Sequence, residues 1–220
     1  MNETMKPLNG RGAQAARNNQ LILTAARAVF TADPDAPIAA VAERAGVGIG
    51  ALYRRYRGKD ELLQRLCGEG LRRYIAETEA ALADDGDPWD TFARFMRRVV
   101  EADTHSLTLR LAGTFTPTDG LYREGEQAHA LTQRLLDRTT AAGVLRASIV
   151  VADLTLLWEQ LAAIRVGDAR RTSELRQRYL TLLLDALHTP SAAPLPGPPP
   201  RWEEIDRRWN NAREGDRHAS

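Results

Sequence analysis

A single cysteine, Cys67, in a chain of 220 residues leaves no intramolecular disulfide framework and no multi-cysteine metal site. A reducing compartment is the simplest setting for such a chain. The N-terminal segment MNETMKPLNGRGAQAARNNQ holds no apolar core of the kind a signal peptide needs. Nowhere do roughly eighteen apolar residues run without interruption. Secretion and membrane spanning are therefore not expected, and the expected location is cytoplasmic. The histidines His105, His129, His188 and His218 lack metal-ligand spacing, and no glycine-rich loop follows a strand, so neither a metal nor a cofactor is expected. Cys67 has no histidine close to it in sequence and reads as a buried structural thiol. Convergent polar groups for catalysis are scarce, which makes an enzyme the weakest of the readings considered.

What is present is an ordinary globular mixture, 43% apolar and 27% charged, with enough chain for one small domain and one larger one. The net charge of +1 hides an asymmetry. Residues 1–74 carry 12 lysines and arginines against 7 acidic residues, and the remainder carries 18 against 22. A basic first third followed by an acidic remainder fits a protein that meets a polyanion through its first third only, although arginine-rich chains also scatter charge by chance.

Strand alternation is missing and the periodic segments are helical. Leu21, Ile22, Ala25, Ala26, Val29 and Phe30 form one helix face, stopped by Asp33-Pro34-Asp35-Ala36-Pro37, with Pro37 suited to the next first turn. Gly46 ends a second helix, a third runs from Ile49 to Tyr56, and a longer one from Lys59 to Ala83. Trp89 to Val100, Leu107 to Phe115, Leu121 to Ala142, Ile149–Val166 and Thr172–Leu187 complete the expected helices. The expected fold class is all-α: an N-terminal three-helix helix-turn-helix head followed by a helical ligand-binding and dimerisation bundle. The expected divisions are a flexible arm over 1–16, the head over 17–63, the bundle over 64–189 and a tail over 190–220. In that tail PSAAPLPGPPP forms an extended linker, and Trp202, Ile205 and Trp209 lie on one side of a short helix.

Within the head, a wheel of 100° per residue gathers Ile49, Leu52, Tyr53 and Tyr56 into an arc of about 100°. These four can pack inward or lie along the edge, while Gly50, Ala51, Arg54 and Arg55 point away. Small residues at the helix entry let a backbone approach a groove floor, and two arginines can reach guanine edges or phosphates. Lys59 opens the next helix, where its ammonium and free N–H groups can hold a phosphate. An ordinary surface helix with solvated arginines would look the same residue by residue.

Together, the residues AERAGVGIGALYRRYRGKDELL resemble the signature of the tetracycline-repressor (TetR) family of bacterial dimeric transcription regulators. The resemblance covers about residues 17–63, including Ala45-Gly46, Leu52-Tyr53, Tyr56, Lys59 and Leu62-Leu63. It implies base-facing positions at Gly50, Ala51 and Arg55, phosphate contacts at Tyr53 and Lys59, and either role for Arg54. Two positions depart from the family pattern: Gly48 stands where a serine cap is common, and Ile38 where a hydroxyl residue touches phosphate. Arg11 and Arg17 are candidates for extra contacts from the arm.

In the second half, residues 149–166 and 172–187 are apolar on more than one stripe, so a second cover is needed. Either a monomer buries them fully or a partner copy covers them, and the resemblance implies the latter. The interface candidates are Leu154, Leu157, Leu161, Tyr179, Leu183 and Leu187. Candidate pocket residues are Trp89, Phe92, Phe95, Met96, His105, Leu109, Arg110, Phe115 and Trp158, a set that would equally serve as plain core. The segments PWDTFARFMRRVV and LPGPPPRWEEIDRRW resemble the SbtR-like C-terminal domain of the same family. The resemblance as a whole implies a homodimer that binds a palindromic operator in double-stranded DNA and is released by a small organic effector. It makes repression the default. A dimeric protein-interaction module without DNA binding is the alternative, opposed by Tyr53, Lys59 and the outward arginines.

Overall fold

The computed structural model describes residues 10–102, 107, 111, 113–188, 193–205 and 207, with side chains from Gln14 onward. Among these residues all regular structure is helical. The elements are α1 (Gly10–Ala32), α2 (Ile38–Ala45), α3 (Ile49–Arg55), α4 (Lys59–Ala83), α5 (Pro88–Ala102), α6 (Asp119–Ala141), α7 (Val151–Ala163) and α8 (Ala169–Leu187). The chain divides after Leu66 into two compact units, and α4 runs through the division.

In the first unit, α1 starts at Gly10, so the arm expected over residues 1–16 is helical over its last seven residues. Alanine, glutamine and arginine favour helix without any apolar stripe, which is why periodicity missed this turn. The inward face of α1 holds Ile22, Leu23, Ala25, Ala26 and Phe30, while Leu21, expected inside, is 53% exposed. Pro37 stands just before α2 in extended geometry rather than inside its first turn. Gly46 then closes α2 at φ +65°, a conformation costly for any residue with a Cβ. Its N–H donates to the Glu43 carbonyl and that of Val47 to the Ala42 carbonyl, the paired bonds of a Schellman cap. The chain thereby reverses in a few residues and begins α3.

In the second unit, α5, α7 and α8 surround a core that includes Phe92, Phe95, Met96, Leu154, Trp158, Leu180 and Leu184. Tyr74, Phe95 and Trp158 meet edge to face, with ring centroids 5.7–6.1 Å apart. Two arginines close helix ends from neighbouring helices. The Arg138 guanidinium, on α6, donates to the carbonyls of Ala81, Leu82 and Asp84 where α4 ends. Arg176, only 8% exposed on α8, donates to the carbonyls of Ala162 and Ile164 where α7 ends. Each satisfies carbonyls that have no intrahelical partner and adds a cation to the negative end of a helix dipole. Of the expected helix Leu107–Phe115, Leu107, Leu111 and Phe115 are buried, and residues 113–115 form a turn and bend rather than helix. Residues 108–110, with Leu109 and Arg110 among them, and 112 lie outside the described residues, as do His105 and Trp209.

Because charge-assisted hydrogen bonds contribute more than neutral ones, Arg138→Met should lower stability by about 2 kcal/mol. Urea denaturation followed by circular dichroism would measure it. A midpoint equal to that of the unaltered chain would show that water replaces the guanidinium at no cost.

Candidate nucleic-acid interface and ligand cavity

Helix α3 is seven residues long and starts at Gly48, which offers no side-chain cap. Its buried arc is narrower than the sequence wheel allows. Leu52 is fully buried and Tyr56 is 4% exposed, whereas Ile49 and Tyr53 remain 43% and 50% exposed. Gly50, Arg54 and Arg55 are exposed and Ala51 is half-buried, so the expected outward set does lie on one open face. A Cβ at Gly50 would meet only the Arg54 guanidinium at 3.6 Å. Packing within the fold therefore does not demand glycine there, and the bare backbone is a property of the surface.

The arginines are not equivalent. The Arg55 Nε donates to Asn19 Oδ1 at 3.1 Å, and the Tyr56 hydroxyl donates to the same oxygen at 2.6 Å. Asn19 on α1 thus aims Arg55 while anchoring the end of α3. No local sequence signal marks a pair 36 positions apart. Lys59 is half-buried with its ammonium 5.3 Å from the Phe30 ring centroid, a cation–π contact that positions the charge at the start of α4. The Glu61 carboxylate accepts the Arg57 N–H at 2.7 Å beside it. Arg17 is exposed on α1 and donates to Gln14, and Ile38 is buried in the head core.

The second unit contains a cavity of about 170 Å³. One wall is α4, through Cys67, Leu71 and Tyr74 at helical spacing. The others come from α6 (Leu121 to Thr132), from Val151, Thr155 and Trp158 on α7, from Pro117, and from Trp202 and Ile205 in the tail. Of the expected pocket residues within the described set, Trp158 alone lines this cavity. Phe92, Phe95, Met96 and Phe115 are core, and Trp89 stacks on His188 at 4.0 Å. An apolar stripe marks the inward side of a helix but not where neighbouring helices leave a gap.

Polar groups on the cavity wall are mostly engaged. The Thr132 hydroxyl donates to the Ala128 carbonyl, which leaves the Tyr74 hydroxyl to donate to Thr132 at 2.7 Å. Burial pushes the Tyr74 phenol well above its ordinary range, opposed by that hydrogen bond. His129 is held below its ordinary value of 6.5 by burial, partly offset by the Glu203 carboxylate. Cys67 is buried and in no disulfide.

The interface candidates divide as well. Leu154, Leu161 and Leu187 are 0–5% exposed within the single chain and are therefore committed to its own core, a correction to their assignment. Leu157 and Leu183 are half-buried, and Tyr179 is open at 48%. Leu182, not among the candidates, is open at 56% on the same helix.

For His129 the sign of the pH effect follows from its depressed affinity for the proton. The unfolded chain binds the proton more tightly, so this group's stability is present above about pH 6.5 and is lost as pH falls through the folded-state value. Urea midpoints measured between about pH 5 and 7 should fall more steeply on acidification for the unaltered chain than for His129→Gln. Equal slopes would remove His129 from the acid response.

Comparison with known proteins places residues 22–66 within the model of "Bacterial regulatory proteins, tetR family". No curated protein matches the chain. Among solved structures, it is similar to a TetR transcriptional regulator from Streptomyces coelicolor, at 24% identity and TM-score 0.55, covering 79% of this chain and 99% of that one. A TetR transcription regulatory protein from Mycobacterium vanbaalenii matches at 26% identity and TM-score 0.53, covering 80% and 98%. The TetR-like regulator LfrR from Mycobacterium smegmatis, solved in complex with proflavine, matches at 19% identity and TM-score 0.57, covering 82% and 99%.

Proposed function

We propose that the chain is a ligand-responsive repressor of transcription of the tetR family of bacterial regulatory proteins, whose model its head matches over residues 22–66. It binds a palindromic operator as a homodimer in the cytoplasm and is released by a small organic effector, with no enzymatic activity of its own. The observation that carries this reading is the open face of α3, where Gly50, Ala51, Arg54 and Arg55 stand clear of the core beside Tyr53. Arg55 and Gly50 suit close contact with base edges, and Tyr53 and Lys59 suit phosphates. The first unit is the reading head and the second the regulatory body, for which the SbtR-like resemblance of the segments at Pro88 and Leu195 remains our assignment.

Release needs a ligand that prefers the conformation unable to bind DNA. Helix α4 supports such coupling by its composition alone: Lys59 opens it, and Cys67, Leu71 and Tyr74 further along line the cavity. Dimerisation follows from the outer stripe of α8, where Tyr179 and Leu182 leave large apolar surface in water, and Leu183 on α8 and Leu157 on α7 are half-buried.

A gel shift with the DNA flanking its own gene tests the reading, and no shift with any palindrome at low salt would refute it. Arg55→Ala should cost about 1–3 kcal/mol of specific binding and relax the preference at one base position. Lys59→Ala should weaken all sequences alike and lower the salt slope by about one. Separately, Leu182→Glu should move the protein from dimer to monomer in sedimentation and cost at least about tenfold in operator affinity. A dimer that survives this change would place the interface elsewhere.

A further inference from the structure

The C-terminal segment returns to the body after its proline-rich stretch. The Arg146 guanidinium donates to the Ala193 carbonyl, and the chain then runs without helix to Arg201. There a helical turn begins at Trp202–Ile205, opened by the Arg201 N–H donating to the Glu204 carboxylate at 2.7 Å, and Arg207 beyond it is helical as well. What holds this stretch on the body is the packing of Trp202 and Ile205. Ile205 is 4% exposed, and the Trp202 ring lies 4.1 Å from that of His129. Both side chains line the cavity. Three of its walls are thus helices of the main core, and one is a helical turn reached through the non-helical, proline-rich residues 193–201.

We propose that this turn is a detachable wall of the effector site, and that an uncharged aromatic molecule of one or two rings binds beneath it and holds it in place. The proposal rests on reading the cavity as the effector site. The size follows from the volume: about 170 Å³ is close to the ~150 Å³ that accommodates benzene and well below the ~300 Å³ at which drug-sized sites begin. The lack of charge follows from the walls. Tyr74 and Thr132 bond to each other, Thr155 donates to the Val151 carbonyl, and Glu126 is exposed. His129 lines the cavity with its Nδ1 buried and without a hydrogen-bond partner, and burial favours its neutral form, so it offers a polar contact and not a fixed charge. Aromatic contact follows from Tyr74, Trp158 and Trp202. A ligand touching Trp202 and Ile205 binds the docked tail better than the released one, and by linkage the tail docks better when the ligand is present.

Indole is a suitable probe. In the full chain, saturating indole should slow amide hydrogen exchange across residues 202–205 by about threefold or more. Trp202→Ala should weaken indole binding about tenfold while the circular dichroism spectrum stays unchanged. If that variant misfolds, the exchange comparison on the unaltered chain decides alone. Indole that binds without slowing exchange of the tail overturns the proposal, as does an unchanged affinity in a folded Trp202→Ala chain or no binding at all. A gel shift on the same samples separates the two levels. Tail protection by indole in a chain that ignores DNA would sink the regulator reading and keep the wall, and DNA binding with an indifferent tail would do the reverse.

Discussion

A helix of seven residues has no stability of its own in water, so α3 exists because Leu52 and Tyr56 are buried against the helices before it. That one constraint shapes the head. With Leu52 inside the helix and Tyr56 just after it spent on anchorage, Ile49, Gly50, Tyr53, Arg54 and Arg55 are free to face outward, and Ala51 is half-buried among them. The Schellman cap at Gly46 sets where the helix starts, and the Tyr56 hydroxyl on Asn19 sets where it stops. A short element clamped at both ends presents a rigid surface, which is what discrimination among similar DNA sequences requires.

The body solves the opposite problem. Its long helices bury enough apolar surface to hold together, and their exposed ends are the weak points. Arg138 and Arg176 reach across from neighbouring helices to the carbonyls ending α4 and α7. A cation at a helix end contributes both hydrogen bonds and a favourable dipole term. The same bonds fix α6 to the end of α4 and α8 to the end of α7, while the cavity opens between α4, α6 and α7. A cavity is tolerable there because the surrounding contacts do not depend on filling it.

Much of this was legible in the sequence because helix ends are marked by residues with restricted backbones. Asp33-Pro34, Gly46, Asp87-Pro88 and Gly143 locate the breaks, and the Lys59–Ala83 span matches its expected bounds. Three features were not legible, each for a physical reason. The first turns of α1 carry propensity without periodicity. The stripe Phe92-Phe95-Met96 has the pattern of any inward face, and whether a face meets core or void depends on the spacing of other helices. On α8, Leu180, Leu184 and Leu187 share their heptad spacing with Tyr179, Leu182 and Leu183. Only the placement of α5 and α7 decides which stripe belongs to the chain's own core.

The hydrogen bond from Arg55 to Asn19 has a stereochemical consequence. With Nε occupied, the guanidinium has its side-on edge closed and can offer only its two terminal nitrogens, in an end-on approach. The rotation about the bond to Nε is set from α1, through Asn19. A change at position 19 would therefore turn the fork and alter which hydrogen-bonding edge it matches, with every residue on that face left as it was. Drift in binding preference has a route through the first helix, out of sight of any comparison confined to the recognition helix itself.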